Sequence, residues 1–515
     1  MKYNSIFSII SFFMAGLFFS QLQSPPAIEW SKNYGGTYPE THADINLTSD
    51  GGYIIAGGSK SSNGDTTVNY GLFDFWIVKI NSVGNIQWQK SLGGSNNEIA
   101  YSVQQTSDGG YIVAGETNSS NGNITQSYGE RDMWVVKLDL NGNLVWQKTF
   151  GGSGDDVARY IRQTPDGGYI VIGSTSSFDG VVASGNRGLG DVWVLKLDNA
   201  GNLQWEKTYG GGNIDRGNSI ELTSDGGYIM ACNSKSNDNQ VTGNHGNYDY
   251  WIVKINSSGN IQWQKSLGGS NSDEAYSAKQ TTDGGYIVLG ASISNNGDVT
   301  GNHGNYDYWL VKLNSSGNIQ WQKSHGGTLY DHGRSVSQTT DGGYILSGYA
   351  MPIAMEGVTA IGSNDYLVIK TDSTGDAQWQ RTFGHLTDDY SNAILQTPDE
   401  GYIISGYSDA VTGTTSNYDY WVIKLAGNQL STNEVAVKRN ITIFPNPVKN
   451  FLNINNLPLE STVTINDAAG RKVYSKKYSE KNITINTSEL INGNYILQIE
   501  NERRIIFSEK IIVSK

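Results

Sequence analysis

One signature, Asp-Gly-Gly-Tyr, recurs at Asp50, Asp108, Asp166, Asp225, Asp283 and Asp341, and a degenerate seventh copy, Asp399-Glu400-Gly401-Tyr402, follows. Successive copies lie 58, 58, 59, 58, 58 and 58 residues apart. So regular a period makes each repeat one supersecondary unit that cannot bury its apolar face alone and must stack on its neighbours. The second repeat carries four strand signals, at residues 99–106, 111–116, 132–139 and 144–150. Ser107-Asp108-Gly109-Gly110 turns the first into the second, and Leu140-Asn141-Gly142-Asn143 turns the third into the fourth. Four antiparallel strands, seven times over, predict an all-β chain built as a seven-bladed β-propeller of four-stranded blades.

The first and last repeats are complementary. Residues 27–36 match the end of a repeat, with Trp30 standing where Trp88 stands 58 residues later, while the seventh repeat reaches its third strand at residues 419–425 without the fourth. The expectation is a seam closed by the N-terminal strand. The third strand is apolar on both faces (Trp134, Val136 and Leu138 against Met133 and Val135), as a strand sandwiched between blades requires. The fourth alternates Ile86, Trp88 and Lys90 with Gln87 and Gln89, the pattern of a half-exposed outer strand.

The chain divides, on this reading, into a signal peptide at 1–23, the propeller at 24–425, a polar linker at 426–440 and a small Ig-like β-sandwich at 441–515. The signal reading rests on Lys2, the apolar stretch 6–19 and the polar residues after it; no cysteine there accepts a lipid, and no other transmembrane stretch occurs. From Lys438 onward 12 Lys and Arg stand against 7 Asp and Glu, which leaves −18 for the rest of a chain of formal charge −13. That balance argues against nucleic acid or an anionic membrane as partner. The single cysteine, Cys232, excludes an intrachain disulfide and lies in an apolar run, as a buried free thiol does.

In the C-terminal part three blocks occur in order: Phe444-Pro445-Asn446-Pro447, then Asp467-Ala468-Ala469-Gly470-Arg471-Lys472-Val473-Tyr474, then Leu490-Ile491-Asn492-Gly493-Asn494-Tyr495. They resemble the C-terminal sorting domain of the type IX secretion system of Bacteroidetes-type bacteria, with Phe444, Pro445, Asn446, Pro447, Gly470, Arg471, Gly493 and Tyr495 as the motif. The resemblance implies passage through the periplasm and across the outer membrane by the type IX machinery, to the medium or the cell surface, with the tail commonly removed. The repeats resemble those of uncharacterised secreted bacterial propellers.

Comparing the seven copies separates scaffold from function. The thirteen Trp residues fill two slots, one in the third strand and one in the fourth, with Leu367 in the one slot left over. Slots so regularly filled read as blade-to-blade packing. Three acidic slots also recur: Glu40, Glu98, Asp156, Asp215, Asp273, Asp331 and Asp389 ten residues before the signature; the signature Asp itself; and Asp74, Asp132, Asp191, Asp249, Asp307, Asp365 and Asp419 before the third strand. Glycoside hydrolysis needs two carboxylates about 5–10 Å apart in unequal environments. A sevenfold ring offers equal ones, so these acids read as turn caps and as partners for the equally regular Lys79, Lys137, Lys196, Lys254, Lys312, Lys370 and Lys424.

Variable slots are the better guide. The first strand of a blade lines the central channel, and seven or four residues before the signature the copies differ, so the ligand-binding candidates are Tyr101, Gln104, Arg159, Arg162, Asn218, Glu221, Tyr276, Lys279 and Arg334. No catalytic residue is assigned: nucleophile elbow, Walker loop, dinucleotide fingerprint and His-Glu-x-x-His are all missing. No metal ligand set is assigned either; His325, His332 and His385 lack a completing acid or Cys, and Ca²⁺ in a loop such as 294–298 is the one cofactor kept open. The reading is a monomeric, non-catalytic binding or adhesion module for extracellular glycan or protein. The alternatives are a polysaccharide hydrolase using Glu221, Asp155 or Asp44, and a structural surface-layer component.

Overall fold

A computed structural model describes residues 23–351, 355, 358–359, 361–409, 417–427, 441–467, 471–501 and 504–515. The signal segment up to residue 22, linker residues 428–440 and Gly470 of the sorting motif lie outside the described residues. The chain forms two compact units, one ending at Gly427 and one beginning at Asn428.

Among the described residues the first unit holds seven four-stranded antiparallel sheets and no helix. The second repeat forms Glu98–Gln105, Tyr111–Thr117, Asp132–Leu138 and Leu144–Phe150, hydrogen-bonded in chain order. Its first turn is set by Asp108, whose Oδ1 accepts from the Gly110 N–H at 3.0 Å and from the Thr106 hydroxyl, while Gly109 takes φ +82°, open to glycine without strain. The same Asp108 pairs with the buried ammonium of Lys137 at 2.9 Å, which also donates to the Leu138 carbonyl. The arrangement repeats at Lys79–Asp50, Lys196–Asp166, Lys254–Asp225, Lys312–Asp283, Lys370–Asp341 and Lys424–Asp399.

The other two acidic slots do not serve the lysines. Their carboxylates cap backbone N–H groups, Asp74 that of Tyr70 at 2.6 Å and Glu98 that of Gly94 at 2.7 Å, and then face each other. A turn cap is what the sequence leads one to expect there; a second carboxylate as neighbour is not.

Every third strand of the repeats is buried along its whole length, as in Asp132–Leu138 and Asp191–Leu197. Trp134 is fully buried, and its Nε1–H donates to Gln147 Oε1 at 2.9 Å. The fourth-strand Trp88 reaches the next repeat, edge-on to Tyr111 at 5.4 Å and against Gly142, where an added Cβ would stand 2.8 Å from the indole. Both Trp slots are therefore contacts between successive sheets.

The seventh sheet draws on both ends of the unit: Ile28–Tyr34 pairs antiparallel with Asp419–Leu425, outside Tyr402–Ser408 and Asp389–Gln396. Trp421 Nε1–H donates to Ser31 Oγ at 2.8 Å across that pairing. This sheet packs on the first one. Tyr420 Oη donates to the Trp76 carbonyl at 3.2 Å, and Ile45, Trp76, Ile403 and Tyr420 share one core.

In most repeats the first strand carries a bulge at the variable position itself, as between Ala100 and Ser102 around Tyr101. In the first repeat the irregularity is longer, running from Thr41 to Asp44, and His42 takes φ +51°. Cys232 is buried, and burial pushes its thiol well above the usual value.

The second unit has a three-stranded sheet, Thr442–Phe444, Phe451–Asn455 and Ile483–Asn486, and a four-stranded sheet, Ser461–Asp467, Lys472–Tyr478, Gly493–Asn501 and Arg504–Val513. Leu452, Ile454, Ile485, Val463, Leu497 and Ile511 from both sheets share its core. Three described motif residues bond within the unit: Asn446 to the backbone of Lys510 and Ile512, Arg471 to Asp467 at 2.8 Å, and the buried Tyr495 through its Oη to the Ile491 carbonyl. Among the described residues no helix is long and apolar enough to cross a membrane.

Candidate functional site

A cavity of about 750 Å³ opens at the end of the repeat unit where the first strands begin. Its wall takes residues from those strands, from the ends of second strands such as Ser174 and Thr175, and from connections such as Asp155 and Ile214. Five of the nine candidates line it: Tyr101, Arg159, Asn218, Tyr276 and Arg334, the residues seven before each signature, and Asn392 joins them from the seventh repeat.

The four candidates from the other variable slot bond to their neighbours outside this wall. Gln104 Oε1 accepts from the Gln163 N–H at 2.8 Å, and Lys279 Nζ donates to Ser337 Oγ at 2.9 Å. Arg162 pairs with Glu221 at 3.2 Å, and Glu221 also accepts from Tyr160 Oη at 2.7 Å.

One side of the cavity is aromatic. Tyr390 meets Tyr349 edge-on at 4.9 Å and Tyr407 tilted at 5.2 Å, His332 stacks on Tyr349 at 5.1 Å from behind the wall, and His42 stands edge-on to Tyr101 at 4.6 Å. An ion pair also lines it: Arg131 holds Asp155 through two hydrogen bonds of 2.7 and 3.0 Å. Two further guanidinium groups lie on tyrosine faces, Arg159 on Tyr101 at 4.2 Å and Arg334 on Tyr276 at 3.9 Å.

His42 comes from a slot that the other repeats fill with Ala, Gly or Ser. Its left-handed backbone turns the imidazole into the cavity, a placement that costs on the order of 1 kcal/mol for a residue with a Cβ. Burial, then the charges of Arg159 and Arg334, push its pKa down to about 3, so the ring is neutral at pH 7. Asp44 behaves oppositely: burial raises its pKa to about 6, against the pull of Arg162 and of the Val103 N–H that it accepts at 2.9 Å. In other repeats a serine does this task, as Ser219 does for the Ala278 N–H at 3.2 Å. Asp155 is held below the usual carboxylate range by its hydrogen bond to Arg131.

His42, Tyr349, Tyr390 and Tyr407 escape a comparison confined to two first-strand slots. Tyr349 and Tyr407 stand eight residues after their signatures, where other copies carry Gly58, Glu116, Ser174, Asn233 and Ala291. That variation was visible; its direction into the cavity was not. Among the described residues no group of three or more His, Cys, Asp or Glu is disposed to hold a metal ion.

The chain is thus an all-β protein of repeated four-stranded antiparallel sheets with an export tail. Residues 442–514 match the family model of the secretion system C-terminal sorting domain, so the protein is a client of the type IX machinery, exported to the cell surface or the extracellular space. The chain is similar to the regulatory protein FlaEY of Caulobacter vibrioides, 23% identical over 411 residues. That match takes in 70% of this chain but 42% of the relative, so the chain spans less than half of the relative's length. Similar solved structures include a fungal alcohol oxidase of the AA5 family in complex with copper, 13% identical with a TM-score of 0.46 over 96% of this chain and 100% of that one. The WD40 domain of Neurospora crassa Pan2 is another, 10% identical with a TM-score of 0.42 over 76% and 95%. These likenesses concern the general fold alone.

Proposed function

We propose that the repeat unit is a closed seven-bladed β-propeller acting as a non-catalytic binding module for extracellular glycan, delivered outside the cell by its type IX tail. Closure is supported by the strand Ile28–Tyr34 completing the sheet of Asp419–Leu425 and by the shared core of first and last sheets. Binding rests on the cavity. Its volume of about 750 Å³ suits a short oligosaccharide. Tyr276, Tyr349, Tyr390 and Tyr407 offer faces for the C–H side of sugar rings, and Asn218, Asn392 and the tyrosine hydroxyls offer hydrogen bonds to the polar rim. The glycan reading rests above all on this pairing of stacking faces with polar groups, at slots that vary while the rest of the repeat stays constant.

A hydrolase is the second reading, favoured by one observation: Asp44, with its pKa raised to about 6, and Asp155, held low, give the cavity a protonatable and an ionised carboxyl. Full-length protein on a glycan array and on insoluble polysaccharides, with the supernatant assayed for released sugar, separates the two. Retention without release supports the binding module. Sugar release that Asp44→Asn abolishes establishes the hydrolase, and capture of proteins alone overturns both.

A further inference from the structure

Four guanidiniums, of Arg131, Arg159, Arg216 and Arg334, line the cavity of this acidic protein, and two of them lie on tyrosine faces beside His42. Arg159 and Arg334 both line it, and among the described residues no carboxylate lies within ion-pairing distance of either. Arg131, by contrast, is neutralised by Asp155 and lies 3.5 Å from Glu116, and Arg162 by Glu221. Arg159 and Arg334 are held by stacking, Arg159 on Tyr101 and Arg334 on Tyr276 with a further hydrogen bond of 3.4 Å to Tyr349 Oη, while the exposed Arg216 lies 5.6 Å from the Tyr248 ring. Stacking fixes the plane of a guanidinium and leaves its N–H fork directed at whatever enters. Both charges act on the same neighbour, His42, whose neutral ring lies in the cavity beside Tyr101. A cation left unpaired in an enclosed space is costly unless an anion arrives to meet it.

We propose that the cavity selects an acidic saccharide, its carboxylate or sulfate ester held between Arg159 and Arg334 with the His42 ring as a further hydrogen-bonding group, and its sugar ring against the tyrosines. This rests on the glycan reading above and gives it a chemical class. The rest of the unit is strongly acidic, which disfavours a long polyanion approaching along the surface. The ligand therefore carries its acid at the end that enters the cavity.

The test uses the full chain on an array of uronate-bearing, sialylated and sulfated glycans beside their neutral parents, followed by calorimetry with the strongest hit and its methyl-esterified or desulfated counterpart. The expected result is binding confined to acidic glycans, weakened about 10- to 100-fold by neutralising the acid and by either Arg159→Gln or Arg334→Gln. Comparing acid with ester on the unaltered protein keeps the test valid where a variant folds poorly. Carboxylate and sulfate arms tell the two sources of the anion apart. Equal affinity for the acid and its neutral counterpart, or hits among neutral glycans alone, overturns this inference and leaves the glycan reading standing. Retention of no glycan of either kind overturns both.

Discussion

Asp74 and Glu98 press on the same glycine from two adjacent sheets: a Cβ added to Gly93 would stand 2.1 Å from Asp74 Oδ1 and 2.6 Å from Glu98 Oε2. The two carboxyls belong to successive repeats and are both buried. Asp74 Oδ1 has no hydrogen-bond partner. The relationship recurs at each junction, with Asp132 and Asp156 on Gly151, Asp191 and Asp215 on Gly210, Asp249 and Asp273 on Gly268, Asp307 and Asp331 on Gly326, Asp365 and Asp389 on Gly384, and Asp419 and Glu40 on Gly35. Like charges so close are tolerable when a proton resides on one of them.

Burial, with the charge of Glu98 adding to it, raises Asp74 to about 7; burial chiefly raises Asp331 to about 7 and Asp191 and Asp249 to about 6. A carboxyl whose folded pKa exceeds its unfolded value of about 3.9 stabilises the fold fully below pH 4, and that contribution is lost as pH rises through the folded pKa. The signature acids act in the opposite sense. Partial burial works against Asp108, yet the Thr106 hydroxyl, the Lys137 ammonium and the Gly110 N–H hold it down at about 2, so its contribution is lost only as pH falls toward 2. The melting temperature of the repeat unit should therefore peak near pH 4 and fall as pH rises to about 7. Asp74→Asn should stabilise at pH 8, by about 1–3 kcal/mol, and do little at pH 4. Scanning calorimetry across that range checks this. A flat profile contradicts the shared proton, and a high-pH fall abolished by calcium assigns the pairs to cation binding.

Much of this scaffold is legible in the sequence because a residue compared with its six copies reveals its constraint. Lys137 and Asp108 are opposite charges in constant slots, and their pairing follows from that. Asp74 and Glu98 are equally constant, but nothing in a one-dimensional pattern marks two like charges as neighbours, since the contact runs between sheets and the proton that permits it is invisible in sequence. The site divides in the same way. Tyr101, Arg159, Asn218, Tyr276 and Arg334 reach the cavity wall from a slot that varies beside constant ones, as a surface freed from packing does. His42 is missed because its entry into the cavity depends on a longer irregularity in one strand, a backbone event with no counterpart in the other repeats.

Trp134 fills its space between sheets completely and gives its N–H to Gln147. Trp134→Ala should cost about 3–5 kcal/mol. Denaturant unfolding read against the unaltered protein checks the figure, and an unchanged midpoint contradicts its place in the core.

Removing Ile28–Tyr34 leaves Asp419–Leu425 with an unpaired edge and deprives Trp421 of Ser31. A loss of about 5 kcal/mol over a unit of this size lowers the melting temperature by roughly 6 °C and favours aggregation through the bared edge. Calorimetry with light scattering on the truncated protein checks both. A truncated protein as stable and monodisperse as the parent contradicts closure through the N-terminal strand.

Glu221 separates scaffold from site most sharply, because a hydrolase reading of the sequence gives it a catalytic part. In the structure its carboxylate accepts from Arg162 and from Tyr160 Oη and does not line the cavity. Arg162 is itself 9% exposed, so neutralising its partner leaves a charge that water reaches poorly. Glu221→Gln keeps the shape and the Tyr160 bond but loses the ion pair, and should destabilise by about 1–3 kcal/mol while leaving glycan affinity within about twofold. Thermal melting and calorimetric binding on the same preparation test the two halves together. Lost binding or turnover at unchanged stability would return Glu221 to the functional site, whereas lost stability with intact binding places it beneath the site, as one of the groups that hold neighbouring first strands together.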